Sequence, residues 1–175
     1  FLFGFFGEDC GVAAGRGFVL LGFGGSALPA AVALGRLQAA VTVRARDSEA
    51  ARVVAELARR AGGAPPSGAA ARVVINATPL GRHGESLPPE LMSQGKGQVA
   101  LDLNYGDRSP FLVQAARRGA VTVDGLAMLI GQAEAAFARW AGTPPPQGVM
   151  SAAVAKSPVR TADAHEDSTS RCTTE

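Results

Sequence analysis

Residues 17–27 read GFVLLGFGGSA, an apolar run that leads into a glycine-rich turn. Continuous apolar residues at 18–21 are typical of a strand buried on both faces, and the apolar spacing over 26–37 predicts a helix. Glycines between a strand and a helix allow a tight turn and a close approach of backbone to a pyrophosphate at the helix N-terminus. The segment therefore predicts a strand–turn–helix unit. Its functional interpretation is a dinucleotide site, and the alternative is an ordinary turn.

The alternation of short apolar runs with longer amphipathic runs continues along the chain. Further strands are predicted at 41–43, 73–77, 99–103 and 121–123, and further helices at 48–60, around 88–92, at 110–118 and at 127–140. Strands that alternate with helices imply a parallel sheet covered by helices on both faces. We therefore predict an α/β fold of the Rossmann type, with a doubly wound, mainly parallel sheet. Residues 61–71 (AGGAPPSGAAA) we interpret as a loop.

The composition favours one ordinary domain with tails, because 47% of the 175 residues are hydrophobic and 18% are charged. The net charge is +2 and the basic residues are scattered, which argues against nucleic acid and anionic membrane as partners. No apolar run reaches the roughly 18 residues of a membrane span. Cys10 and Cys172 form no CxxC motif, so we assign neither a metal site nor a disulfide framework.

We divide the chain into three parts. Residues 1–16 begin with Phe1 rather than Met, and we expect them to be the remnant of a truncated N-terminal region. Residues 17–150 form the predicted dinucleotide-binding domain. Residues 151–175 are rich in Ser, Thr, Ala and charge, which predicts a disordered tail.

The end of the second predicted strand indicates which dinucleotide fits. An acid about 20 residues beyond the glycines accepts the ribose hydroxyls of NAD, whereas Arg accommodates the 2′-phosphate of NADP. Residues 43–48 read VRARDS, and the guanidinium groups of Arg44 and Arg46 suit a phosphate dianion. Asp47 counts against a phosphate site because it is acidic. Its alternative role is to cap the next helix beside Ser48. NADP is therefore favoured over NAD.

Three further motifs follow predicted strands: NATPLG at 76–81, DLNY at 102–105 and DGLAMLIGQA at 124–133. Together with the glycine turn, and in this order, they resemble the C-terminal, cofactor-binding domain of shikimate dehydrogenases over residues 17–150. The resemblance implies an NADP-dependent oxidoreductase of aromatic amino-acid (chorismate) biosynthesis. Such an enzyme interconverts 3-dehydroshikimate and shikimate by hydride transfer. A cytoplasmic location is expected, with a plastid as the alternative.

The resemblance also implies which residues form the two parts of the site. The matching cofactor-binding positions are Gly22, Gly24, Gly25, Ser26, Ala27, Arg44, Arg46, Asn76, Thr78, Leu103, Gly125 and Met128. Tyr105 and Gln132 match the two residues of this domain that contact shikimate. Without the resemblance, Tyr105 and Met128 could instead be packing residues, and Gln132 could be a solvent-facing residue of its helix. Trp140 and Phe137 are expected on the packing face of the last predicted helix.

In some respects the chain departs from the family pattern. The family's catalytic Lys and Asp lie in an N-terminal substrate domain, and neither Lys96 nor Lys156, the only lysines, stands in a matching motif. We therefore assign no catalytic residue and expect the isolated chain to be inactive, with a separate substrate domain as its partner. Ala45 and Asp47 stand where the family has Asn and Thr. The alternatives are a nucleotide-binding regulatory pseudoenzyme and a quinate/shikimate dehydrogenase.

Overall fold

The computed structural model describes residues 14–66, 71–81, 85, 87–88, 95–105 and 109–155. The strands are β1 (Gly17–Leu21), β2 (Ala40–Arg44), β3 (Val73–Asn76), β4 (Val99–Asp102) and β5 (Val121–Val123). The helices are α1 (Ala27–Arg36), α2 (Ser48–Arg60), α3 (Pro110–Arg117), α4 (Leu126–Ala141) and α5 (Val149–Ala155). The predicted strands, and the helices that correspond to α1–α4, are confirmed to within one residue at each end. The short helix expected around 88–92 lies largely outside the described residues.

The five strands form one parallel sheet in the order β2-β1-β3-β4-β5. From β1 the chain passes to β2 on one side and then crosses back to β3 on the other, so the strand order reverses between β1 and β3. In open α/β sheets, ligands bind in the crevice outside the carboxyl ends of the strands at such a reversal. The register places Leu21 at the end of β1 beside both Arg44 and Asn76. The fold thus brings three of the predicted motifs to one edge of the sheet.

Alternate residues of β1 face two separate cores. Phe18 and Leu20 are buried in one apolar cluster with residues of α1 and α2. Val19 and Leu21 are buried in a second cluster, which includes Phe111 of α3. Full burial of such an apolar side chain stabilises the folded state by about 1.5–3 kcal/mol relative to exposure. Because both faces of the sheet are covered, the prediction of a doubly wound sheet is confirmed.

β2 is an edge strand of this sheet. Residues 61–66 are the described part of the predicted loop, and they form a turn and a single parallel bridge between Ala64 and Ala40. Gly35 of α1 packs directly against α2, because a Cβ at Gly35 would overlap the carbonyl oxygen of Ala58. The close contact between α1 and α2 therefore requires the glycine.

The chain divides into two compact units, one ending at Leu129 and the other beginning at Ile130. The predicted domain over residues 17–150 crosses this division. α5 extends to Ala155, into the segment predicted to be disordered, because VMSAAVA is composed mainly of residues that a helix accommodates. None of the described helices is long and apolar enough to cross a lipid bilayer.

The prediction of an aromatic packing face on α4 is wrong. Trp140 is 85% exposed and Phe137 is 38% exposed. The described part of the second unit consists mainly of helical residues from α4 and α5, and neither helix contains a fully buried residue. Two short stretches of helix offer too little surface to enclose an indole ring.

Candidate functional site

The turn between β1 and α1 begins at Gly22, which has a φ of +103°. Its N–H donates to the carbonyl oxygen of Arg44 at 2.9 Å, so the turn is tied to the end of β2. A Cβ at Gly22 would lie 3.0 Å from Cγ2 of Thr78 and 3.1 Å from the carbonyl oxygen of Ala77. The backbone conformation and the neighbouring β3 loop both require glycine here. Gly22 therefore holds the ends of three strands together.

Gly24 and Gly25, in the same turn, have no such constraint. A Cβ added to either would have no atom of the described structure, outside its immediate chain neighbours, within 4 Å. Neither residue has the positive φ that favours glycine. The protein's own described packing thus gives no reason for these two glycines. A ligand that must approach the backbone closely does give one, and the open space above the turn fits such a ligand.

The N-terminus of α1 directly follows this open space. Ser26 is the N-cap residue, its side chain makes no capping hydrogen bond, and the first turn of α1 contains no acidic residue. A helix N-terminus has unpaired N–H groups and a partial positive charge. Ala27 begins the helix and is fully buried, so the helix start is anchored in the core. The arrangement fits an anion such as a pyrophosphate.

The end of β2 supplies two further positive charges beside the turn. Arg44 and Arg46 are both exposed, and within the described residues neither forms an ion pair. Oδ1 of Asp47 accepts hydrogen bonds from the N–H groups of Glu49 at 2.9 Å and Ala50 at 3.0 Å. The interpretation of Asp47 as the cap of α2 is thereby confirmed. The two guanidinium groups remain available to an external anion.

The ends of β3 and β4 differ from those of β1 and β2 because their polar groups are satisfied within the protein. The side chain of Asn76 is fully buried, and its Nδ2 donates to Oδ1 of Asp102 at 3.0 Å and to the carbonyl oxygen of Leu80 at 3.3 Å. Its Oδ1 accepts from the hydroxyl of Thr78 at 2.7 Å and from the N–H of Thr78 at 3.1 Å. Asn76 and Thr78 therefore shape their own loop.

Asp102 is the centre of this buried network, and the sequence analysis did not identify it. Its Oδ1 accepts from the backbone N–H and the Nδ2 of Asn104, both at 3.0 Å, and its Oδ2 accepts from the hydroxyl of Ser109. Burial raises the pKa of Asp102, and the hydrogen bonds from Ser109, Asn104 and Asn76 oppose that rise. A polar residue directly after the apolar run of β4 was the available signal.

Three of the predicted cofactor positions lie in or next to this buried region. The N–H of Leu103 donates to the carbonyl oxygen of Asn76 at 2.9 Å, and the Leu103 side chain is buried. A Cβ at Gly125 would lie only 2.5 Å from the carbonyl oxygen of Leu103. Met128 packs, partly buried, against the apolar cluster that contains Leu103. Close packing explains Gly125 and Met128 here, and the cofactor contacts of all three residues remain predictions.

The two predicted substrate-contacting residues are both exposed. Tyr105 is 58% exposed, which differs from the packing alternative considered from the sequence. Gln132 is exposed on α4, within the second compact unit. Their roles toward a substrate remain predictions.

The chain is similar to known proteins in both sequence and fold. The family model described as the Shikimate 5'-dehydrogenase C-terminal domain matches residues 125–155. A shikimate dehydrogenase (NADP(+)) of Anaeromyxobacter sp. (strain Fw109-5) is 39% identical over 158 residues, which cover 83% of this chain and 56% of that protein. The chain is thus similar to shikimate dehydrogenases over most of its own length. It spans about half the length of the curated shikimate dehydrogenases that it matches.

Solved structures extend this relationship to the fold. The shikimate dehydrogenase of Thermus thermophilus, solved in complex with NADP(H) and shikimate, is 32% identical with a TM-score of 0.62, over 84% of this chain and 58% of that one. A ligand-free 5-ketofructose reductase of Gluconobacter sp. strain CHM43 is 30% identical with a TM-score of 0.68, over 81% of this chain and 56% of that one. The Rossmann-like fold and the resemblance to shikimate dehydrogenases are confirmed.

Proposed function

We propose that this chain is the NADP-binding part of a shikimate dehydrogenase, which interconverts 3-dehydroshikimate and shikimate. The observation that supports it most is the open space above Gly24 and Gly25, beside the uncapped N-terminus of α1. A pyrophosphate fits such a turn because it can approach the backbone closely and accept hydrogen bonds from the helix N-terminus. The matched relative from Anaeromyxobacter is named for NADP(+), in agreement with the two exposed arginines at the end of β2.

The residues around the crevice would have distinct roles in holding NADP. The β1–α1 turn and the hydroxyl of Ser26 would bind the pyrophosphate, and Arg44 and Arg46 would bind the 2′-phosphate through charge-assisted hydrogen bonds. Leu103, Gly125 and Met128 would border the nicotinamide, while Asn76 and Thr78 fix the loop beside the turn. Bound NADPH would supply the hydride, and this chain would orient it toward the substrate.

Substrate recognition in this proposal involves the chain's own residues and a further domain. Tyr105 would offer a phenol hydroxyl, and Gln132 an amide, both suited to the hydroxyl and carboxylate groups of shikimate. Tyr105 is well placed for such a role because it directly follows Asn104, which the Asp102 network fixes. We assign proton transfer to a substrate domain of the kind found in the family.

A second candidate substrate comes from the likeness to the 5-ketofructose reductase. That structure is 30% identical with a TM-score of 0.68, and the Thermus enzyme is 32% identical with a TM-score of 0.62. Because these values are similar, the similarity of this chain alone does not decide between the two reactions. Turnover of 3-dehydroshikimate or of 5-ketofructose, assayed with a substrate domain supplied in trans, distinguishes the two activities. NADP binding without turnover of either compound, even when that domain is supplied, would agree with a regulatory pseudoenzyme.

The proposal is tested by calorimetric titration of the purified 175-residue chain with NADP and with NAD. We expect tighter binding of NADP. We expect the double variant R44A/R46A to lose NADP affinity by about 100-fold or more, because each of the two charged groups would lose a phosphate hydrogen bond worth about 1.5–3 kcal/mol. NAD affinity should change less than about twofold, since NAD lacks the 2′-phosphate.

The matched control is the double variant R36A/R72A. Arg36 and Arg72 are also exposed, but Arg36 ends α1 and Arg72 precedes β3, so both lie away from the carboxyl ends of the strands. This variant removes the same charge and should leave the affinity for NADP within about twofold of the parent chain, because exposed charges at a distance are screened. An equal loss of NADP and NAD affinity in R44A/R46A would refute the phosphate assignment.

A further inference from the structure

Asp47 is the acidic residue nearest in sequence to the two arginines that the proposed function assigns to the 2′-phosphate. It follows Arg46 directly, and its position is fixed by the two hydrogen bonds that cap α2. Both bonds are accepted by the same oxygen, Oδ1. Within the described residues, Oδ2 of Asp47 accepts no hydrogen bond, so one oxygen of the carboxylate is available to a ligand.

No basic side chain in the described part of the chain forms an ion pair with Asp47. Within those residues, neither Arg44 nor Arg46, its nearest basic neighbours in sequence, pairs with Asp47. The acids of α2 differ, since Glu49 pairs with Arg52 at 2.6 Å and Glu56 pairs with two arginines of its own helix. Asp47 is therefore a fixed negative charge beside the proposed phosphate site, balanced mainly by the dipole of α2.

We infer that Asp47 helps to determine which dinucleotide this chain prefers, and that its carboxylate reduces the preference for NADP over NAD. The inference rests on the proposed function. A fixed carboxylate repels the 2′-phosphate of NADP, whereas its free oxygen can accept a hydrogen bond from the 2′-hydroxyl that only NAD has at that position. The same residue thus stabilises α2 and weakens the selectivity that Arg44 and Arg46 provide.

The test is the variant D47N, titrated with NADP and NAD in the 175-residue chain. Asn retains the capping oxygen and the shape of Asp while removing the charge, so the helix start is preserved. We expect NADP to bind about fivefold tighter and NAD to bind equally or up to about twofold more weakly, as befits a partly screened charge near a dianion. The gain for NADP should shrink when the ionic strength is raised.

The matched control is E49Q, which removes one negative charge from the first turn of the same helix. Glu49 is paired with Arg52 and has no place in the proposed site, so its ratio of NADP to NAD affinity should stay within about twofold of the parent chain. A third variant, D47S, provides a second neutral cap and should reproduce the effect of D47N. Thermal unfolding of each variant verifies that α2 remains folded.

The outcomes separate the inference from the proposed function. A rise in the ratio of NADP to NAD affinity in D47N and D47S, but not in E49Q, supports the inference. If the parent chain binds NADP selectively and D47N leaves the ratio unchanged, the inference is wrong and the proposed function stands. If the parent chain binds neither dinucleotide, both are overturned.

Discussion

Four strands, β1 to β4, end at the same edge of one sheet. The polar side chains at the ends of β3 and β4 have partners within the protein, whereas those at the ends of β1 and β2 lack them among the described residues. At the ends of β3 and β4, Asn76 and Asp102 are fully buried and hydrogen-bonded within the protein. At the ends of β1 and β2, the Ser26 side chain caps nothing and the two arginines form no ion pair within the described residues. The polar side chains at the ends of β3 and β4 are therefore satisfied within the protein, whereas those at the ends of β1 and β2 are open to an external partner.

Two glycines show the same contrast. Gly125 is enclosed, with room for no side chain, because its missing Cβ would fall 2.5 Å from the carbonyl oxygen of Leu103. Gly24 is open, with no surrounding atom of the described residues within 4 Å of such a Cβ. Both are predicted cofactor positions, but only Gly24 lacks an explanation inside the described structure. The environment of a glycine therefore separates a folding requirement from a binding requirement.

Removal of the buried carboxylate should produce the largest effect. D102A removes the acceptor of the Asn104 backbone N–H and of the Ser109 hydroxyl. It also removes one of the acceptors of each Nδ2 group of Asn76 and Asn104, and each unsatisfied buried group costs about 1–3 kcal/mol. We expect the free energy of unfolding, measured with urea, to fall by about 4 kcal/mol. D47A, which removes only an exposed cap, should lose about 1 kcal/mol. Equal losses in the two variants would contradict the assignment of the Asp102 network as scaffold.

The paired variants G125A and G24A sharpen the contrast between enclosed and open glycines. G125A should lose about 2–3 kcal/mol of unfolding free energy, because the added methyl group forces the backbone of Leu103 to move. G24A should stay within about 0.5 kcal/mol of the parent chain but lose NADP affinity by about tenfold or more, because the methyl occupies the space above the turn. The two variants are compared by urea denaturation and by calorimetric titration. A stable G24A with unchanged NADP affinity would refute the binding role of the turn.

Two serines at helix N-caps provide the smallest of these contrasts. S109A should lose about 2 kcal/mol of unfolding free energy, since its hydroxyl donates to Asp102 and accepts from the N–H of Leu112 at 3.4 Å. S26A should lose less than about 0.5 kcal/mol, because the side chain of Ser26 makes no capping hydrogen bond, but NADP affinity should fall by about threefold to tenfold. Urea denaturation and calorimetry check both values. A reversed order of stability loss would contradict the account.

The sequence predicted the fold well because strands buried on both faces leave a continuous apolar pattern. β1 reads as such a run, and the alternation with amphipathic helices indicated the parallel sheet. The buried network was not predictable in the same way. It depends on the pairing of β3 with β4, which places Asn76 opposite Asp102 across 26 residues of sequence. A single sequence does not show which polar residues meet across a sheet.

Residue type at strand ends predicted the glycine turn and the two arginines, and the resemblance to shikimate dehydrogenases supplied the other candidate positions. Arg44 and Arg46 are exposed and form no ion pair within the described residues, which suits a phosphate site. Asp47 caps α2, which was the alternative role considered for it from the sequence. The error at Trp140 has a different origin, because an aromatic residue at helical spacing indicates packing only when another element covers it. The exposure of Trp140 depends on tertiary structure that its local sequence does not encode.

The most direct test of the contrast between the two pairs of strand ends is the perturbation of backbone amide NMR signals when NADP is added to the isotopically labelled chain. We expect the largest shifts at residues 22–27 and 44–46, since these groups would meet the phosphates. The amides of Asp102 and Ser109 should shift little, because the network around them is complete within the protein. Large shifts confined to the Asp102 network, with residues 22–27 unchanged, would contradict the account.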